Sequence, residues 1–473
     1  MVTSRFLRSA AHDVLSWRDG MSGWRTARHS FRALLAASPD EVARQQQLKL
    51  TQLLQHAYRT VPYYREAWTA LGFTPTSATT AAELVGLPLL SKEVIQRERA
   101  RLTSQAVATD QLDLDCTSGT TGSRTSFYRD RACRVARVGR QWGILEHCGY
   151  RPGDRRGLIW GVAADLSPRN AAQTLKARFR RFARANESIY CRVMSRDDML
   201  DYHRRLRRFR PAVLYGYPNA IEQFARFVQR ESLARIDVSR IFCTAEQLHE
   251  SQRALFEQVF GGEVFNLYCS REHGCAGFEC RRHRGLHIDA GSVFVEILKN
   301  GQPAQPGESG EIVITDLLNF GMPLVRYATG DLATRAAEPC DCECPLPFVA
   351  AFDGRQSDVL YRPDGSVVAG VLLSHLFMDH PSIRFAQFVQ EERTALDIYL
   401  VVEDGGPTHL QGAVIEETRP VMGPDVVIRV HFVADIPRNP RSGKFQQVIS
   451  KAGPPSRRSG LQERAAQGAM VRR

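Results

Sequence analysis

The sequence predicts an α/β protein of two domains, a large α/β one followed by a small α+β one. Three observations carry this. A chain of 473 residues, 43% hydrophobic and 24% charged, has globular composition and is too long for one ordinary core. From residue 110 to residue 335, short apolar runs alternate with amphipathic segments, the pattern of a layered domain with a largely parallel sheet. After Gly354-Arg355 the pattern changes to closely spaced strands with few helices. The expected boundaries are 1–354, 355–452 and a disordered tail at 453–473.

Residues 1–45 read as a peripheral helical segment, with Trp17 and Trp24 available to pack on the main body. Leu48, Leu50, Leu53, Leu54 and Ala57 line one face of an amphipathic helix over 46–70 that ends near Pro62. Leu112-Asp113-Leu114-Asp115 alternates like a strand. Leu158–Val162, Ala212–Leu214, Arg240–Thr244 and Val264–Tyr268 read as strands, and Pro218–Arg230 and His249–Phe260 as helices. Phe294–Leu298 and Gly310–Thr315 are expected to pair antiparallel around the turn Asn300-Gly301. In the small domain the sequence predicts a turn at Pro363–Gly365, helices near 370–380 and 408–420, and strands at Phe385–Gln390, Ala395–Val402 and 426–433.

The net charge of +12 comes largely from arginine, clustered at 178–184, 204–210 and 281–284. These segments carry helical apolar spacing, as in Leu200, His203, Leu206 and Phe209, so the charge reads as solvated helix faces. No nucleic-acid-binding motif accompanies it. No apolar run is long enough to span a membrane, and the N-terminus meets Asp13 before any adequate apolar stretch, so a cytoplasmic protein without a secretion signal is expected. In such a compartment 11 cysteines do not imply a disulfide framework.

The richest chemistry lies in residues 116–130, CTSGTTGSRTSFYRD. A strand feeding a Gly/Ser/Thr stretch converges backbone N–H groups and short hydroxyls on one point, an anion nest suited to phosphate oxygens. It is not a Walker loop, since no Gly-Lys-Ser/Thr follows. On composition alone, a polar surface hairpin is the favoured reading, and only the rest of the chain overturns it. Further strings follow in order: His56-Ala57-Tyr58, Val61–Arg65, Leu87–Lys92, Tyr215-Gly216-Tyr217-Pro218, Tyr268-Cys269-Ser270-Arg271-Glu272, Arg326–Asp331, Gly354-Arg355 with Asp358, and Ser442-Gly443-Lys444.

Together, over residues 50–450, these strings resemble the adenylate-forming (acyl- and aryl-CoA ligase) superfamily. The likeness is strongest to its phenylacetate-CoA ligase branch and, within that, to CapK-like proteins of polysaccharide and natural-product gene clusters. The resemblance implies a large multi-sheet N-terminal adenylation domain and a small mobile α+β C-terminal lid, hinged at 355–358. It implies an enzyme that activates an aryl or acyl carboxylic acid with ATP to an acyl-adenylate, then passes the acyl group to CoA or another acceptor. A catalytically silent scaffold of the same fold is the alternative.

In that resemblance Thr117, Ser118, Gly119, Thr120, Thr121 and Gly122 cradle the ATP phosphates. Glu272 holds Mg²⁺ and Arg271 contacts the α-phosphate. Tyr268 stacks on adenine, Asp331 binds the ribose diol and Arg355 is a second nucleotide contact. Tyr215, Gly216 and Tyr217 border the acyl pocket, and Lys444 is the adenylation lysine. Two positions depart from the family's Tyr-Gly-x-Thr-Glu string: Cys269 replaces Gly and Arg271 replaces Thr. The acyl acceptor stays open between CoA, an amine, a sugar hydroxyl and a carrier thiol.

Cys340, Cys342 and Cys344 stand too close in sequence for a comfortable disulfide, and thiolates at that spacing suit zinc. Relatives with a structural zinc near this region support the idea. The expected ligands are Cys280, His287, Cys342 and Cys344, with His283 and Cys340 as alternates. Free surface thiols are the other reading.

Overall fold

The computed structural model describes residues 21–116, 125–160, 185–191, 196–355, 359–364, 367–369, 382–402, 409–437 and 446–452, with a few isolated positions besides. Two compact units are present, one running to Asp353 and the other taking up the described residues from Gly354 onward.

In the first unit, β1 (Leu112–Cys116) and β2 (Ser126–Asp130) form an antiparallel hairpin whose ends, Cys116 and Ser126, face each other across the 117–124 connection. The main sheet has twelve strands. β3 (Arg156–Trp160), β4 (Asn186–Tyr190), β5 (Val213–Gly216), β6 (Arg240–Thr244) and β7 (Glu263–Ser270) run parallel in the order β4-β3-β5-β6-β7. The sheet continues through β8 (Gly274–Phe278), β9 (Leu286–Ile288), β10 (Val293–Lys299), β11 (Gln302–Pro303), β12 (Ser309–Asp316), β13 (Tyr327–Arg335) and β14 (Phe348–Arg355), in the order β8-β9-β14-β13-β12-β10-β11. The expectation of a largely parallel sheet therefore holds for one half only. β7 to β9 turn back on one another as antiparallel neighbours, and β10, β12 and β13 do the same.

The parallel half is buried on both faces, which is why its strands read as continuous apolar runs. Leu214 and Ile241 point to one side, into a core with Leu206, Phe224 and Phe256 from the helices Arg196–Phe209, Pro218–Arg230 and Glu250–Phe260. Tyr215 and Phe242, one residue on, point to the other side, against Phe31 and Ile144 of the helices Trp24–Leu35 and Arg131–His147. Pro218 starts its helix at the first turn, where its missing N–H costs nothing. Gly261, at φ 74°, ends the helix before β7 in the left-handed conformation that favours glycine.

The single helix expected over 46–70 is two. Pro39–Thr60 is capped by Ser38, whose hydroxyl accepts from the Glu41 N–H at 3.2 Å. Pro62 does not end that helix so much as open the next, Pro62–Ala70. Leu50, Leu53, Leu54 and Ala57 are buried against Phe127 and Tyr327 as their spacing requires, whereas Leu48 is exposed. The Asn300-Gly301 turn joins β10 to the short β11, not to β12, which pairs along the other edge of β10.

The second unit holds the hairpin β15 (Val359–Tyr361) and β16 (Val367–Ala369), and a four-stranded sheet. Its strands are β17 (Ile383–Gln390), β18 (Ala395–Val402), β19 (Val427–Phe432) and β20 (Val448–Ser450), ordered β19-β18-β17-β20. The helix Leu410–Met422 packs Val414 against Phe388, Ile398 and Leu400. The segment expected to be helical near 370–380 lies almost wholly outside the described residues, as do Lys444 and Thr117–Gly122. No helix among the described residues is long and apolar enough to cross a membrane.

Candidate functional site

Parallel strands deliver their C-terminal ends to one edge of a sheet, and ligands bind α/β sheets at that edge. Here β3 ends at Trp160, β5 at Gly216 and β7 at Ser270. Tyr215, Gly216 and Tyr217 therefore stand on the right edge. The Trp160 and Tyr217 rings lie 4.5 Å apart, and Gln141 Nε2 donates to the Tyr215 hydroxyl at 3.2 Å. Burial pushes the Tyr215 hydroxyl well above the usual tyrosine range. Gly216 is required by the sheet: a Cβ there would lie 2.6 Å from the Ile159 carbonyl oxygen on β3.

β7 turns into β8 through Arg271, Glu272 and His273, with Ser270 opposite Gly274. Gly274 sits at φ 74°, the left-handed position that such three-residue hairpins place after the turn. This hairpin is bolted from below by Arg137 of the helix Arg131–His147. The Arg137 guanidinium donates to the carbonyl of Arg271 at 3.1 Å and also to the carbonyl of Glu272 and the carboxylate of Asp316. Both side chains of the Arg137–Asp316 pair are buried.

Glu272 is buried and accepts from the Tyr327 hydroxyl at 3.1 Å. Burial opposes its ionisation, but the His273 ring, its own backbone N–H, the Lys92 ammonium and the Ser270 hydroxyl outweigh that and hold the carboxyl below its ordinary range. His273 is buried too, and desolvation pushes its imidazole down to about 4 against the pull of Glu272. At neutral pH the two are thus a carboxylate beside a neutral imidazole. Neither ring nitrogen of His273 finds a hydrogen-bond partner among the described residues, although its face packs on Tyr268 with centroids 5.0 Å apart.

Tyr268 donates its hydroxyl to Asp331 at 2.7 Å and packs on Phe352. Asp331 does not follow a simple turn. It lies within β13 at an irregularity, where Glu311 faces Leu332 but Val313 faces Ala328. Gly330 takes φ 77°, and the Asp331 N–H donates to Thr329 Oγ1 at 3.1 Å. Such bulges aim a side chain out of the ladder. Arg326, in the same string, is a structural residue. It forks onto Glu296 at 2.9 and 3.0 Å and donates to the Val85 and Leu87 carbonyls.

The hairpin also meets β1, one residue before its end. Arg271 Nη1 lies 3.3 Å from Asp115 on β1, which Arg129 of β2 holds at 2.5 Å. Thr125, just before β2, accepts from Gln96 Nε2 of the helix Lys92–Leu102 at 3.2 Å. The structure thus joins Tyr268 to Asp331 and Tyr327 to Glu272, and sets Arg271, beside Glu272, against Asp115 near the end of β1. Arg355 closes β14, and its side chain lies outside the described residues. Sequence reasoning missed Lys92, Arg137, His273 and Tyr327 as site residues. Tyr327 and Lys92 stood inside strings already singled out, but Arg137 lies in an ordinary amphipathic helix and gives no local signal.

A second cluster lies away from this edge. Cys280, His287, Cys340 and Cys342 place their ligand atoms within 4.8 Å of one another. Cys340 takes the place expected for Cys344, whose backbone N–H instead donates to the Cys342 sulfur at 3.4 Å. His283 is turned away, bonded to Glu279 at 3.2 Å. The Cys280 and Cys340 sulfurs are 3.8 Å apart, the edge of a tetrahedron with roughly 2.3 Å metal–sulfur bonds. His287 Nε2 lies 3.2 Å from Cys342 Sγ, and its Nδ1 faces the Leu346 carbonyl at 3.3 Å, which fixes the tautomer a metal would need.

Residues 360–451 match the CapK C-terminal domain. Protein CapK of Staphylococcus aureus is 24% identical over 381 residues, covering 78% of this chain and 81% of CapK. The chain is similar in sequence to CapK and to the phenylacetate-CoA ligases. Among the latter, the phenylacetate-coenzyme A ligase of Thermus thermophilus is 25% identical over 333 residues, covering 67% of this chain and 70% of that protein. A solved 2-hydroxyisobutyryl-CoA ligase in complex with 2-HIB-AMP superposes with a TM-score of 0.68 at 17% identity, covering 89% of this chain and 91% of its own. That superposition shows a shared fold.

Proposed function

We propose that the protein is an AMP-forming ligase that activates a carboxylic acid with ATP and passes the acyl group to CoA or another acceptor. The observation that carries this is the β7–β8 hairpin. It sets a buried, ionised Glu272 next to Arg271, against the strand that leads into the Gly/Ser/Thr loop and at the ligand-binding edge of the sheet. Both reactants of adenylation are anionic, so the site must supply positive charge and hold the attack in line. Arg271 and Lys92 bring cations to the phosphate region. Glu272 would hold Mg²⁺ together with phosphate oxygens, and the ion would neutralise charge on them. Asp331, oriented by Tyr268, accepts hydrogen bonds from a ribose diol. Tyr215 and Tyr217 border the acyl group, and Lys444 would be the lysine that meets the α-phosphate, as the resemblance implies. We place the reaction in the cytoplasm, in the supply of acyl groups to polysaccharide or natural-product assembly, as the resemblance implies.

Cys280, His287, Cys340 and Cys342 form a Cys₃His set that fits a structural zinc with no open position. It would join the β8–β9 connection to the β13–β14 connection and contribute stability rather than chemistry. About one zinc per chain in purified protein, lost in Cys280→Ser, is the expected result.

The test of the ligase is carboxylate-dependent ATP–pyrophosphate exchange across aryl, fatty and amino acids. Lys444→Ala is expected to lower exchange by about 10²–10³-fold while ATP binding persists. A wild-type protein that binds ATP but exchanges with no acid would favour the silent scaffold instead.

A further inference from the structure

Cys269, the position that departs from the family's glycine, has a partner. β7 and β8 are out of simple register: Tyr268 faces Gly277, but Cys269 faces Cys275. One extra residue of β8, Ala276, is accommodated in a bulge. Without it Cys269 would stand opposite Ala276. The bulge therefore aligns two cysteines across the hairpin that carries Arg271 and Glu272.

Directly opposed residues on antiparallel strands have Cα atoms about 4.5–5.5 Å apart and side chains on one face. A disulfide needs about 4.4–6.8 Å. The bridge can close with little backbone movement. The Cys275 thiol donates to the Gly277 carbonyl at 3.7 Å, and both cysteines pack in the cluster that contains the Tyr215 ring. Cys275 is buried and Cys269 half-buried, so Cys269 is the sulfur a small oxidant meets first.

We propose that Cys269 and Cys275 form a reversible disulfide that acts as a peroxide-sensitive lock on the Glu272 hairpin. The Cys269 thiolate attacks hydrogen peroxide, giving a sulfenic acid and hydroxide. The Cys275 thiol then displaces that hydroxyl as water, closing the S–S bond. Two thiols are oxidised, one peroxide is reduced, and two waters form overall. The bridge ties the seven residues 269–275 into a ring and draws both sulfurs to each other beside Tyr215. The hairpin then loses the freedom to adjust Arg271 and Glu272 around a substrate, and turnover falls. This last step rests on the ligase reading; the disulfide itself does not.

The experiment treats the reduced full-length protein with hydrogen peroxide, alkylates free thiols and digests with trypsin. Cleavage after Arg271 separates the two cysteines, so a bridge keeps two peptides joined. The expected result is a joined pair, two hydrogens lighter than the sum of the free peptides, in most chains. It is split by dithiothreitol and absent from Cys275→Ser. Exchange activity should fall at least tenfold on oxidation, return with dithiothreitol, and in Cys275→Ser stay at that variant's own untreated rate. Full alkylation of Cys269 and Cys275 after peroxide, or pairing of Cys269 with any other cysteine, would overturn the disulfide. A mapped bridge with unchanged exchange would overturn the lock. A mapped bridge in a protein with no exchange even when reduced would support the disulfide and count against the ligase reading.

Discussion

The two halves of the twelve-stranded sheet are built on different terms. The parallel half, β3 to β7, is sealed on both faces by helices and spaced out by them along the chain. The antiparallel half, β8 to β14, is joined by short connections, and its strands alternate buried with half-buried positions, as in β13. The first half supplies a rigid edge; the second supplies the irregularities that aim side chains at it. Glu272 stands on a hairpin and Asp331 at a bulge, and Tyr268 on β7 reaches across to Asp331. The site is a property of the seam, and Arg137 is its bolt, since it grips both the hairpin and Asp316 at the end of β12.

Breaking the bolt should have the largest effect. Arg137→Met leaves Asp316 buried without its cation and is expected to cost about 3–5 kcal/mol in urea unfolding. A loss under about 1 kcal/mol would mean that the halves do not depend on it. Glu272→Gln keeps the hairpin and removes the charge. Exchange should fall about 10²–10³-fold with the unfolding midpoint nearly unchanged, and equal losses in both would make Glu272 structural.

His273 tests the seam by pH. The folded protein resists a proton that the unfolded chain accepts near 6.5, because burial holds the imidazole down to about 4. Stability from this residue is therefore intact above pH 6.5 and is lost as pH falls toward 4, by a limit on the order of 3 kcal/mol. In His273→Phe the acid limb of the melting profile should flatten over that window; an identical limb would place His273 outside the titration. The smallest effect belongs to the sealed half. Ile241→Val, deep in its helix-covered core, should cost about 0.5–1.5 kcal/mol and leave exchange at the wild-type rate. A comparable loss of activity would show that the parallel half is not a passive platform.

The same contrast explains what was legible. β5, β6 and β7 and the helices between them announced themselves, because burial on both faces writes an apolar run and burial on one writes a helical stripe. Pro218–Arg230 and Arg240–Thr244 match the expectation residue for residue. β8, with two glycines in five residues, and β13, with Thr329-Gly330-Asp331 inside it, carry no such pattern, and the sequence predicts no strand at either. Their strands exist because neighbours complete their ladders, which is a non-local fact.

The metal-like cluster makes the point at closer range. Its chemistry was visible as cysteines two residues apart, but Cys340 and Cys344 are indistinguishable by spacing, and only the path of the 336–347 connection turns Cys340 inward and lends Cys344 through its backbone. By itself the sequence determined the two-unit α/β architecture, the order of the chemical strings and the residue types at the site, because periodicity and side-chain chemistry are local. The tertiary structure alone decided which partner each group meets: Arg137 with Asp316, Tyr268 with Asp331, Cys269 with Cys275. Those pairings depend on strand register and bulges, and register is settled only when distant segments pack.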